Sequence, residues 1–210
     1  AAVHAIGTPL ITNSDGTKFG KSEGNAIWLN PELTSPYAFY QFWLNTADAD
    51  VADRLKVFTF RTREEITELE RLTREEPYRR EAQRVLAEDV NTLVHGAEAT
   101  RQAIEASAAV FGKGAFEDLD ESTLAAVADA LPGMTVTGRE EQPVVDLLVG
   151  TGLSESKSAA RRTLKEGGVS LNNHKITGED AVVTSDEHLH GRFVLLRRGK
   201  KNLAAVTFTD

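Results

Sequence analysis

At 210 residues, 40% of them hydrophobic and 27% charged, the chain is too long for one small domain and has the balance of an ordinary globular protein of one to three modules. It has no cysteine, which excludes a disulfide framework and a thiolate metal site and fits a reducing compartment. The net charge of −8 argues against a surface uniformly suited to nucleic acid, yet it divides into −10 over residues 1–141 and +2 over 142–210, which leaves room for local contacts to RNA.

Ala1 is not an initiator methionine and the only methionine is Met134, so the start is expected to lie inside a longer polypeptide. No apolar run approaches the roughly eighteen residues of a membrane helix, and no charged-then-apolar leader opens the chain. A cytoplasmic location without membrane contact is expected.

Residues 1–30 read as a strand, a lysine loop and the start of a helix or turn. The loop, Lys18-Phe19-Gly20-Lys21-Ser22, follows the apolar Pro9-Leu10-Ile11 and the turn-forming Asn13-Ser14-Asp15-Gly16. Two ammonium groups flanking a glycine, with a hydroxyl behind, suit a polyphosphate, because Gly20 admits close backbone approach and Ser22 can donate. A P-loop does not fit, since only Thr17, Lys18 and Phe19 separate Gly16 from Gly20. An EF-hand fails as well, for it places Ile11 and Ser22 at ligand positions. Spacing alone leaves a solvated, lysine-bearing turn open as the alternative.

Ser35-Pro36 is a helix start, and Tyr37, Phe39, Tyr40, Phe42, Trp43 and Leu44 cover nearly every face of the helix that follows, which predicts burial. Asp48 or Asp50 is expected to cap the next helix, with Val51, Leu55 and Phe58 on one side. Thr62-Arg63-Glu64-Glu65 is a capping box before Ile66, Leu69 and Leu72. Pro77 is expected to begin a further helix, striped by Ala82, Val85, Leu86, Val90, Leu93 and Val94, which Gly96 ends or interrupts. Ala97–Val110 and Glu121–Leu131 complete five or six helices without a convincing strand. Arg74, Arg79, Arg80 and Arg84 alternate with Glu75, Glu76 and Glu81, so surface ion pairs are their expected role.

Residues 132–141, with two glycines, two threonines and three charges, read as a linker. Pro143 opens a helix with Val144, Val145, Leu147, Leu148 and Val149. Ser154 is expected to cap a second, which runs through Lys165 to a stop at Gly167-Gly168. Lys157, Arg161 and Lys165 lie within about 80° of one another on that helix, with Ala160 and Leu164 on the other side and no acid on the cationic stripe. Val169-Ser170-Leu171 alternates as a strand, Asn172-Asn173 turns, and Phe193–Leu196 with Leu203–Phe208 reads as a hairpin turning at Gly199-Lys200-Lys201-Asn202. His188-Leu189-His190 lies beside Asp186-Glu187 without a third ligand cluster, so a loop and no metal site is expected. Gly-x-Ser-x-Gly and His-Glu-x-x-His are both absent.

The lysine loop resembles the second signature of class I aminoacyl-tRNA synthetases in the form typical of bacterial tyrosyl-tRNA synthetases. Gly7-Thr8-Pro9-Leu10, the run from Thr34 to Trp43, Asn45 to Asp50, Leu93-Val94-His95-Gly96 and Gly191 to Lys201 carry the same resemblance, which extends from about residue 3 to the C-terminus. Leu153 to Asn172 resembles a small RNA-binding domain named after a ribosomal small-subunit protein.

The resemblance implies a mainly α chain with a small α+β domain. Residues 1–30 would be the tail of a Rossmann-like catalytic domain, 31–131 an α-helical anticodon-binding-type domain, 132–141 a linker and 142–210 a small ribosomal-protein-like RNA-binding domain. It implies tyrosine activation by ATP and transfer to tRNA(Tyr), with a homodimer in the full-length enzyme and Mg2+ accompanying ATP without being bound by this chain. Lys18 and Lys21 would be catalytic, and Lys18, Phe19, Gly20, Lys21 and Ser22 would bind ATP. Lys157, Arg161, Arg162 and Lys165, with Arg197, Arg198, Lys200 and Lys201 as a second group, would bind RNA through phosphate. The family's other signature, His-x-Gly-His, is absent, so this chain alone is expected not to aminoacylate. A non-catalytic RNA-binding protein using the same tail is the alternative, but it leaves the lysine loop unexplained.

Overall fold

The computed structural model describes residues 3–7, 10–14, 16–20, 27–138 and 140–210. Its described residues are helical with a five-stranded and a two-stranded sheet, and it divides into two compact units, Ala1–Thr34 with Phe39–Val94 and Ser35–Ala38 with His95–Asp210. Among the described residues no helix is long and apolar enough to cross a membrane.

The first unit is built from α1 (Pro36–Leu44, less its first turn), α2 (Asp48–Phe58), α3 (Arg63–Glu75) and the front of α4 (Glu81–Val110). Local chemistry sets most of these boundaries. Ser35 Oγ accepts from Ala38 N at 3.1 Å ahead of Pro36. At α3 the box closes reciprocally, Glu65 N donating to Thr62 Oγ1 at 3.2 Å and Thr62 N to Glu65 Oε2 at 2.7 Å. Phe39, Tyr40 and Trp43 are buried as their spacing predicts, as are Val51, Leu55, Ile66 and Leu86. Arg79 pairs with Glu76 at 3.0 Å and Arg84 with Glu81 at 2.8 Å, two of the surface ion pairs expected of that stretch, whereas Arg80 Nη2 instead donates to Leu44 O at 2.7 Å.

Three expectations for this unit are corrected. Neither Asp48 nor Asp50 caps α2; Ala47 holds the cap position without a side-chain bond, and Asp48 Oδ1 instead accepts from Gln83 Nε2 at 2.6 Å. Pro77 begins only a 3-10 turn, Pro77–Arg79, because Arg80 at φ 51° breaks the helix before α4 can start. The strand expected before the lysine loop is reduced, among the described residues, to a single bridge between Thr12 and Lys18. Gly96, at φ 86° and ψ 168°, is not helical, so α4 is two helices that meet at a kink there.

The second unit holds the end of α4, α5 (Glu121–Asp129), α6 (Val144–Gly150), α7 (Lys157–Lys165) and the sheet. The main sheet is formed by β1 (Gly133–Thr137), β3 (Val169–Leu171), β4 (His174–Ile176), β6 (Phe193–Arg198) and β7 (Asn202–Thr209), in the order β1-β7-β6-β3-β4. A small ladder joins β2 (Gln142–Pro143) to β5 (Val182–Val183). The segment 132–141 is therefore not a bare linker: β1 runs parallel to β7, with Gly133 opposite Ala205. A Cβ at Gly133 would stand 2.6 Å from Ala205 O, so the residue that reads as a turn signal is there for close strand approach.

Alternation along β6 and β7 divides two cores. Val194, Leu196, Val206 and Phe208 face α6 and α7, meeting Val144, Leu148, Ala160 and Leu164. Phe193, Leu195, Leu203 and Ala205 face the other way, meeting Ala109, Phe116, Leu119, Leu124 and Val127. Burial on both faces explains why these strands read as nearly continuous apolar runs. It also joins residues before 131 to the same core as the tail.

Thr184 caps a 3-10 turn at Ser185–Glu187, and its N and Oγ1 both donate to Glu187 Oε2, at 2.7 and 2.6 Å. The Thr184 hydroxyl, first among the causes, holds the Glu187 carboxyl below the usual carboxylate range. With the folded pKa depressed, its contribution to stability is complete above the unfolded value of about 4.3 and is lost as pH falls through the folded value. Glu187→Gln is expected to lower stability by about 1 kcal/mol at neutral pH and to flatten the acid limb, as measured by urea titration at several pH values. Parallel acid limbs for the two proteins would show the bond to be inconsequential.

Candidate nucleotide and nucleic-acid sites

The lysine loop is the end of a short hairpin in the first unit. Asn13 N donates to Thr17 O at 2.8 Å, Gly16 N to Asn13 O at 2.9 Å and Phe19 N to Ile11 O at 3.1 Å. Asn13 Nδ2 adds a bond to Thr17 Oγ1 at 2.9 Å. Lys18 is exposed, and among the described residues it makes no ion pair. Gly20 sits at φ 74°, a left-handed position suited to glycine. Lys21 and Ser22 lie outside the described residues.

Phe19 is placed differently from the expectation of an ATP contact. Its ring is half-buried among Phe42, Trp43 and Phe58, with centroids 6.0, 5.7 and 5.5 Å away. It is an anchor that ties the loop to the helical body. Above it lies a residue sequence reasoning missed, Arg54, whose guanidinium carbon is 4.2 Å from the ring centroid. Arg54 is only 3% exposed, and its Nη2 donates to Thr12 O at 2.9 Å and Asn13 Oδ1 at 2.8 Å. The sole sequence signal was a charge on a helix at a position where an apolar stripe would be continued. Beside this clasp, Asn13, Phe19, Gly20, Gln41, Asn45 and Asp50 line a cleft of about 470 Å³.

In the second unit, α7 presents its cations as expected, with one change at its start. Ser156, not Ser154, is the cap, accepting from Ala159 N at 3.2 Å, while Ser154 is buried. Ala160 and Leu164 are fully buried, which turns Lys157, Arg161, Arg162 and Lys165 outward. The stripe does have acidic partners, from other elements: Lys157 Nζ reaches Asp146 at 2.7 Å, and Lys165 Nζ reaches Glu179 at 3.7 Å. Among the described residues Arg161 and Arg162 make no ion pair.

The second cationic group splits. Arg197 is 7% exposed and cannot meet RNA. Its Nη2 donates to Ala109 O at 3.0 Å, Val110 O at 2.9 Å and Asn173 Oδ1 at 2.9 Å, and its Nε to the same Asn173 oxygen at 3.1 Å. Burial pulls its pKa below the ordinary guanidinium value. Arg198 is half-buried and donates to Leu153 O at 2.7 Å, whereas Lys200 and Lys201 are exposed at the hairpin turn. His190 Nε2 donates to Leu119 O at 2.7 Å and His188 stacks on Phe208 at 3.8 Å. Among the described residues no three His, Asp or Glu side chains gather as a metal site.

Residues 1–112 match the family described as tRNA synthetases class I (W and Y). The chain belongs to that family. Residues 123–206 match the tyrosine–tRNA ligase SYY-like C-terminal domain. Proteins named tyrosine–tRNA ligase from Streptomyces coelicolor and Streptomyces avermitilis are each 58% identical over 209 residues, which is 100% of this chain and 49% of each relative. One from Leifsonia xyli is 59% identical over 204 residues, 97% of this chain and 46% of the relative. The chain thus spans about half the length of the curated relatives it matches.

The clasp gives this class I synthetase chain a specific liability. Arg54→Met is expected to cost about 1–3 kcal/mol by removing two bonds from a buried donor. In hydrogen exchange, the amides of Asn13, Gly16 and Phe19 should lose protection while those of α2 keep theirs. Unchanged exchange at those three amides would show that Arg54 does not hold the hairpin.

Proposed function

We propose that this chain is the carboxyl-side half of a tyrosine–tRNA ligase, supplying the ATP-phosphate loop and tRNA binding to a longer enzyme. The observation that carries this is identity of 58% over a 209-residue alignment to proteins of that name, a span that takes in both the lysine loop and the tail. In this reading residues 1–30 close the catalytic domain, the helices from residue 31 form the anticodon-side domain, and the RNA-binding tail begins with β1 at Gly133, inside the former linker. The full-length enzyme is a cytoplasmic homodimer, and Mg2+ arrives with ATP.

The reaction joins the tyrosine carboxylate to the α-phosphate of ATP, releases pyrophosphate, and then passes the tyrosyl group to tRNA. Negative charge builds on the β- and γ-phosphates as the bond to the α-phosphate breaks. Lys18 and Lys21 meet that charge as point cations more strongly in the transition state than in the ground state, which is what accelerates the step. Arg54 and Phe19 fix the stem of the hairpin, so the loop closes over the nucleotide from a defined base. Without the half that bears the tyrosine pocket, the 210 residues alone do not catalyse tyrosine-dependent ATP–pyrophosphate exchange.

In the full-length enzyme, Lys18→Ala and Lys21→Ala are each expected to slow adenylate formation by about 100–1000-fold in stopped flow, with tyrosine affinity changed less than about twofold. Comparable losses in rate and tyrosine binding would remove these lysines from the chemical step. For the tail, the log–log salt dependence of tRNA binding should become shallower by about 1 for each of Arg161→Ala and Arg162→Ala, measured by filter binding across a KCl series. A slope the same as wild type in both variants would take α7 out of the RNA contact.

A further inference from the structure

At the end of α4 the chain leaves Val110, turns through Gly112 at φ 74°, and leaves the ring of Phe111 69% exposed. This turn is held in place. Arg197 Nη2 bonds Ala109 O and Val110 O, and Asn173 Nδ2 donates to Ala109 O and Gly114 O, both at 2.9 Å. An exposed aromatic ring on a rigid support costs apolar hydration without a packing return within the unit.

The ring is one wall of a groove of about 800 Å³. Leu131, Leu153 and Leu203 supply apolar surface, and Arg198, Lys200 and Lys201 supply its cations. Glu155 is the one carboxylate on its lining. Arg198 is already fixed by its bond to Leu153 O, so its charge is presented from a set position. Three cations against one acid is the reverse of the chain as a whole, whose formal charge is −8.

An aromatic face beside a cationic rim is the arrangement that takes single-stranded nucleic acid, since every base has a face to stack and every nucleotide a phosphate. We propose that this groove takes an unpaired nucleotide of the bound RNA, its base stacked on Phe111 and its phosphate against Lys200 and Lys201. The proposal rests on the reading of the tail as RNA-binding and adds to it a contact of different chemistry. Phosphate contacts along α7 position a backbone, whereas Phe111 requires a base that is free of its helix. Arg197 then acts on RNA indirectly, by holding the turn that carries the ring. An acidic peptide is the competing occupant; it has charge complementary to the lysines but nothing in particular to lay flat on the ring.

Salt separates the two kinds of contact, because losing a phosphate contact lowers the salt slope and losing a stack does not. Binding of a tRNA(Tyr) transcript to the full-length enzyme is measured across a KCl series for wild type, Phe111→Ala, Phe111→Trp and Lys200→Ala/Lys201→Ala. Phe111→Ala is expected to weaken binding about tenfold with an unchanged slope, and Phe111→Trp to restore it. The lysine pair should lower the slope by about 1–2. A transcript carrying 2-aminopurine at successive unpaired positions should show one position quenched by wild type and not by Phe111→Ala.

Affinity within twofold of wild type for Phe111→Ala, or a slope that falls with it, overturns the proposal. So does capture of an acidic peptide that depends on Phe111 while RNA affinity does not. Arg161→Ala in the same series tests the underlying reading: if it weakens binding while Phe111→Ala does not, the tail binds RNA and the groove is not part of the site. If wild type itself fails to bind the transcript, both fall. Phe111 is exposed, so its replacement leaves the core packing intact.

Discussion

The guanidinium of Arg197 is the contact on which the second unit depends. A helix end leaves carbonyls without partners, and burying such an end is costly unless something donates to them. Arg197 reaches Ala109 and Val110 across 88 and 87 residues of sequence, and Asn173 Oδ1 and Lys200 O supply further acceptors. A buried charge is stable only with its donors occupied, and here Nε and Nη2 both are. The planar fork matters, because a lysine at this position offers one ammonium and cannot span helix end and turn together. Through this contact the end of α4 is held against β6, where the second core forms.

That second core changes how the tail is divided. With Phe193, Leu195 and Leu203 buried against Phe116, Leu119 and Leu124, the sheet has no free face on that side. A module cut before residue 142 would expose those side chains and remove β1 from the edge of β7. The sheet is covered on both sides, and α7, which carries the exposed cations, packs on it through Ala160 and Leu164.

What was legible in the sequence was what adjacent residues decide. The capping box at Thr62, the proline start of α1, the Asn172-Asn173 turn at φ 48° and 68°, and the apolar side of α7 all follow from neighbours within a turn or two. The corrections share the opposite character. Arg54 reaches Thr12 over 42 residues, and Lys157 finds Asp146 on a different helix, so no periodicity reports them. Arg197 looked like its neighbours Arg198, Lys200 and Lys201; the alternation of a strand, which sends successive side chains to opposite faces, separates the buried Arg197 from the half-buried Arg198. Phe19 was read for the motif that contains it, whereas its environment is set by Trp43 and Phe58. The lysine loop itself was legible as chemistry but its footing was not.

For the RNA contact proposed above, the chain's net negative charge matters less than the distances between charges. Screening at physiological ionic strength acts over about 8 Å, so acids on distant surfaces contribute little at the phosphate. The local pairs do count, and they are weak. Lys157–Asp146 and Lys165–Glu179 are solvent-exposed, with Lys165 reaching its partner only at 3.7 Å, and exposed pairs are worth at most about 1 kcal/mol. In the RNA contact proposed above, a phosphate would displace either carboxylate at little cost, and Arg161 and Arg162, which make no ion pair among the described residues, would be open to it. Specificity then has to come from what charge alone does not supply, which is shape and the exposed faces of unpaired bases.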